Sequence, residues 1–122
     1  MKFKINNEEW EIKEVTQEEM WEETGKQRED GYFFGKSLYY KQEIWLDKEI
    51  PECKKRKTLI HELTHVYMNS CITHEELNFT EETACDLCAN SHDFIHEVIE
   101  KYFDLKKMKE FEKQLTNDAE VI

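Results

Sequence analysis

Five residues near the middle of the chain, His61-Glu62-Leu63-Thr64-His65, constrain it more than any other stretch. They lie in a run from about 52 to 70 whose Leu59, Ile60, Leu63, Val66 and Tyr67 recur at helical spacing, with Pro51 suited to the first turn. Two histidines four apart on a helix stand one above the other, about 40° apart around its axis, so both imidazoles can reach one metal ion. Glu62 sits beside the first histidine, where its carboxylate can take a proton from a water on such an ion. With five histidines in 122 residues, a shuffled chain of this composition would contain H-E-x-x-H at a rate of roughly 0.04 per chain, so the surrounding sequence has to decide.

The composition narrows the partners. Asp and Glu number 28 against 17 Lys and Arg, for a net charge of −11, and 37% of residues are charged. A domain so acidic is a poor ligand for nucleic acid or an acidic membrane, which need a basic footprint. Mean hydropathy is −0.87, yet 39% hydrophobic and 12% aromatic residues suffice for one modest core. The start, Met1-Lys2-Phe3-Lys4-Ile5-Asn6, has no apolar run and no cleavage site, and no stretch reaches the length of a membrane span. A cytoplasmic protein with reduced cysteines is expected. One proline and three glycines leave no flexible linker, so a single domain over residues 1–122 is expected.

Residues 2–15 alternate apolar and polar around Asn6-Asn7 and predict a hairpin. Thr16 with Glu19 is a capping-box pair and predicts a short helix over about 16–27. The aromatic-rich stretch 32–47 predicts two strands with Gly35 as a break, and Tyr32, Phe33, Phe34, Tyr39, Tyr40 and Trp45 as core and sheet face. Residues 71–79 are a connection. Thr80 followed by Glu81 and Glu82 starts a further helix to about Phe103, with an apolar stripe through Ala84, Leu87, Cys88, Ser91, Phe94, Ile95, Val98 and Tyr102. Asp104 is placed to cap a last amphipathic helix. The acidic segments 8–23 and 110–120 read as solvated faces. Strands before helices predict an α+β fold: a small, mostly antiparallel sheet packed against the H-E-x-x-H helix and the helix after it. The first of these helices follows a strand and can sit at a sheet edge where a peptide binds.

Catalytic zinc usually takes three protein ligands and keeps a fourth position for water. Glu82 and Asp86, four apart on the second helix, share a face. Glu82 can complete a His61–His65–Glu82 set. Asp86 can hydrogen-bond the far nitrogen of one histidine and fix its tautomer. Glu81 is the adjacent competitor.

The segments TLIHELTHVYM (58–68) and EETACDLCA (81–89) resemble the gluzincin class of zinc peptidases, and most of all its small ImmA/IrrE-like bacterial and phage members. The family pattern T-x-x-H-E-x-x-H is met by Thr58, His61, Glu62 and His65. The pattern E-x-x-A-N-x-F-A on the next helix is met by Glu82 and Ala89, with Cys85, Asp86 and Cys88 in place of Ala, Asn and Phe. The resemblance covers roughly residues 31–103. It implies a zincin-like minimal domain, Zn2+ on His61, His65 and Glu82, and Glu62 as the general base of a metalloendopeptidase. It also implies an intracellular protein substrate, such as a repressor-like regulator, and a phage or mobile-element setting.

Other readings use the same residues. Cys71-x-x-His74 with Cys85-x-x-Cys88 has the spacing of a structural zinc site, which would make the domain a non-catalytic interaction or regulatory module. Against it, Cys85 and Cys88 fall inside a predicted helix, where free cysteine packs as a small hydrophobe. A metzincin pattern needs glycine and histidine where Met68 and Cys71 stand. His74 is a further candidate third ligand, at short spacing. His92 and His96 can be ordinary surface histidines or, less simply, donors to a developing oxyanion.

Overall fold

The computed structural model describes residues 1–72 and 80–121, the last five as backbone only. Strands β1 (Lys2–Ile5) and β2 (Glu8–Val15) are followed by helix α1 (Gln17–Thr24), strands β3 (Gly35–Leu38) and β4 (Glu43–Asp47), and helices α2 (Glu52–Cys71) and α3 (Glu81–Val121).

β1 and β2 form the expected hairpin. Asn6 and Asn7 both take positive φ, 50° and 67°, the backbone of a two-residue hairpin turn and one that asparagine tolerates. Thr16 and Glu19 cap α1 reciprocally: the Glu19 amide donates to Thr16 Oγ1 and the Thr16 amide to Glu19 Oε2, both at 3.1 Å. Gly25 ends α1 in the left-handed conformation (φ 68°).

The sheet order is β1-β2-β4-β3. Two junctions are antiparallel, but the central one is parallel, with Ile12 opposite Ile44 and Val15 opposite Asp47. The sheet is therefore mixed. The chain leaves β2, makes α1 and the outer strand β3, and returns through β4 alongside β2.

Alternation divides the side chains between two faces. On one face, Phe3, Ile5, Trp10, Ile12, Ile44 and Leu46 pack against Leu59, Leu63 and Val66 of α2 and Val98, Ile99, Tyr102 and Phe103 of α3. On the other, Val15, Leu38 and Trp45 enclose Met20 of α1. Gly35 marks the closest approach of β3 to α2. A β-carbon there would lie 2.6 Å from Thr58 Cγ2, so the glycine opens the strand as a packing device instead of breaking it.

Four expectations need correction. α3 is one 41-residue helix, with no interruption at Asp104. No glycine or proline lies between 81 and 121, and the lysines, glutamates and leucines after Asp104 are good helix formers that carry it through. Ile60 is exposed rather than buried, because the buried side of α2 is centred on Leu59, Leu63 and Val66. Of the aromatic group, Trp45 is in the core and Phe33 packs on it, but Tyr32, Phe34, Tyr39 and Tyr40 are exposed, since they fall in the turns flanking β3. Glu14 is no solvated acid: it receives Lys55 at 2.7 Å and Lys106 at 2.8 Å. Among the described residues, no helix is long and apolar enough to cross a membrane.

Candidate metal centre and cleft

Leu59, Leu63 and Val66 fix the rotation of α2 by burying completely. That rotation leaves His61 and His65 exposed, one turn apart, on the opposite side. Their Nε2 atoms lie 3.2 Å from each other. Two nitrogens bound at about 2.0–2.1 Å to one tetrahedral zinc stand about 3.3–3.4 Å apart, so the pair is spaced as two ligands of one ion would be.

Glu62 turns the other way, toward the sheet, and is buried. Its Oε2 accepts a hydrogen bond of 2.5 Å from Ser37 Oγ. Ser37 lies in the register of β3 that faces the helices, opposite Ile44, where a strand would otherwise place an apolar side chain. This polar residue at an inward position was the one sequence signal for Glu62's partner, and it becomes readable only once the face of the strand is known. Nearby, burial and then the negative charge of Glu62 push the Tyr39 hydroxyl above the usual tyrosine range.

A cleft of about 530 Å³ opens beside the motif, between α2 and the approach to β3. His61, Glu62 and Thr58 form one wall, Phe33, Phe34 and Gly35 the other, and Lys54 and Lys57 the rim. Lys54 Nζ sits 5.0 Å from the centre of the Phe34 ring. The Phe33 segment is held by Gln17, a buried residue that no motif singled out. Its side-chain oxygen accepts from the Phe33 amide at 3.1 Å, and its nitrogen donates to the Phe33 carbonyl and, at 2.9 Å, to the fully buried Asp47. A glutamine side chain thus bonds the cleft wall as a neighbouring strand would. β3 is one of the two outer strands of the sheet, and its outer edge, which pairs with no strand among the described residues, runs next to this cleft.

The downstream candidates are placed differently. Thr80 caps α3, receiving the Thr83 amide at 3.2 Å, as its sequence predicts. Glu81, Glu82, Cys85 and Asp86 are all exposed on the first two turns. Ser91 is buried nine residues beyond Glu82, and nine steps of about 100° put Glu82 half a turn away from that packed face. Glu81 lies two turns before Cys88, on the seam with α2. Among the described residues, no group of three metal-binding side chains is assembled, so neither Glu82 nor Asp86 is brought to the histidine pair. Cys71, Cys85 and Cys88 are free thiols, and none of them joins a metal-binding group there. His74 lies outside the described residues. His92 and His96 stack on each other, with centroids 5.8 Å apart, over a separate groove between α2 and α3 that also holds Ile60, Thr64 and Cys88.

The family model for the IrrE N-terminal-like domain, peptidase family M78, matches residues 20–114. The chain belongs to this family. The match takes in α1 from Met20 onward, strands β3 and β4, α2 and most of α3, a wider span than the two motif segments alone. Family membership places the protein among metallopeptidase-like domains, which implies a bound metal and a protein substrate in general terms. No curated protein and no solved structure matches the chain.

Proposed function

We propose that this protein is a zinc-dependent endopeptidase in which His61, His65 and Glu82 hold the metal and Glu62 is the general base. The observation that carries the reading is the 3.2 Å separation of the two Nε2 atoms beside a buried, hydrogen-bonded Glu62. The donor set suits zinc, since imidazole nitrogens and a carboxylate are ligands it accepts. Bound there, zinc would polarise a peptide carbonyl and acidify a water. The chain's own groups supply the rest. Ser37 occupies Oε2 of Glu62 and leaves Oε1 to take a proton from the attacking water and deliver it to the departing amine. The cleft walls at Phe33 and Phe34, and the outer edge of β3, give an extended peptide apolar contacts and backbone partners. A regulatory protein of repressor type, inside the cell, is the substrate class in keeping with the family resemblance.

Metal content and cleavage of a peptide library test this in wild type, Glu62→Gln, His61→Ala and Cys85→Ser/Cys88→Ser. Zinc should survive in the glutamine variant while turnover disappears, and His61→Ala should lose both. Equal activity in all four proteins would sink the assignment. Metal lost only from the cysteine variant would replace it with the structural-zinc module.

A further inference from the structure

Beyond Phe103, α3 continues to Val121, with Lys106 still reaching Glu14 of β2. The segment still carries an apolar stripe: Leu105, Met108, Phe111 and Leu115, at steps of three, three and four, are all exposed, Phe111 by 61% and Met108 by 58%. Four large apolar side chains on one solvated helix face are more than a monomer leaves unpartnered without reason. We propose that this stripe is a dimerisation face whose occupant is the same segment of a second copy, running antiparallel.

Two observations point to a second copy. The stripe is close to palindromic. When the helices run in opposite directions about the midpoint of residues 109 and 110, Met108 meets Phe111 and Leu105 falls beside Leu115, each twice by symmetry, as a two-fold interface requires. The charges are also polarised along the segment. Residues 105–109 hold three lysines and no acid, whereas 110–120 hold four acids and one lysine. In that register Lys109 comes level with Glu110 and Lys107 with Glu112 of the partner, each twice, while Lys106 comes level with Lys113; an in-register parallel pair would oppose every charge to itself. The helix dipoles favour the same direction. Leu105 and Met108 lie by Met1 and Lys2 at the β1 edge, whereas His61 lies by β3 at the other, so the inference stands whether or not the chain is a peptidase.

Sedimentation equilibrium on the full chain, from about 5 to about 500 μM, reads the outcome. Wild type should pass from 14.9 kDa to twice that mass. Phe111→Glu, an exposed change that leaves the core intact, should weaken dimerisation at least about tenfold. The double reversal Lys107→Glu/Lys109→Glu, which spares the Lys106–Glu14 pair, should also weaken it several-fold, because it sets acid against acid. A chain that stays monomeric throughout overturns the proposal. So does a dimer indifferent to Phe111→Glu, and so does one that the double reversal leaves unchanged or tightens, which would exclude the antiparallel arrangement.

Discussion

A buried carboxylate keeps a defined position only when its lone pairs are occupied, and Ser37 occupies one of those on Glu62. On the proposed assignment, removing that hydroxyl should leave the metal ligands untouched while Glu62, the proposed base, loses its orientation. Ser37→Ala is therefore expected to keep wild-type zinc content and to lower kcat about tenfold or more, the usual scale for losing such a partner. Threonine, which restores an oxygen at the same place, should recover part of the rate. Unchanged kcat in the alanine variant would show that Glu62 is held by something else. The placing of His61 and His65 one turn apart, with Glu62 turned aside, could be read from the sequence because it lies in helical spacing alone. Ser37, Gln17 and Gly35 could not, because each acts across elements: Ser37 on α2, Gln17 on the Phe33 segment and Asp47, Gly35 by making room for Thr58.

Elements are tied together by the groups that bridge them, and Glu14 bridges three. It projects from β2 to Lys55 of α2 and to Lys106 and Tyr102 of α3. Burial opposes its ionisation, but hydrogen bonds from Lys106, Lys55 and Tyr102 outweigh burial and hold its carboxyl at about 2 instead of 4.5. The folded value is the lower one. The stabilisation is thus complete above about pH 4.5 and disappears as pH falls toward 2. Because the group keeps contact with solvent, the contribution is on the order of 1–2 kcal/mol. Urea denaturation from pH 6 to pH 2.5 should show that much extra acid loss in wild type relative to Glu14→Gln. Parallel pH curves for the two proteins would remove Glu14 from the account. The alternation that predicts β2 marks Glu14 as inward-facing, yet a chain so rich in acids makes one inward acid easy to read as part of a solvated face. The parallel β2–β4 junction was equally hidden. Strand patterns show which residues form strands, and α1 with β3 between them decides which strands become neighbours.

At the scale of the whole molecule, local signals account for the order of strands and helices, whereas the relation of α2 to α3 depends on packing. The seam is fixed by Ile95, Val98, Ile99 and Tyr102, well after the first turns of α3. Glu82 lies out of phase with that seam and Glu81 lies in phase with it. A metal that recruits Glu82 must therefore draw the start of α3 toward His61 and His65, and its binding free energy becomes tertiary stability. Zinc at a hundred times its dissociation constant adds about 2.7 kcal/mol to a folded state that alone binds it. For a domain of this size that raises Tm by roughly 10 °C. Hydrogen exchange should slow in the first three turns of α3 on zinc addition and stay unchanged at the Val98–Phe103 seam. Glu82→Ala should lose both the Tm shift and the local protection, whereas Glu81→Ala keeps them. The reverse pattern would make Glu81 the ligand. A zinc-induced shift that survives in His65→Ala would show that the metal binds elsewhere.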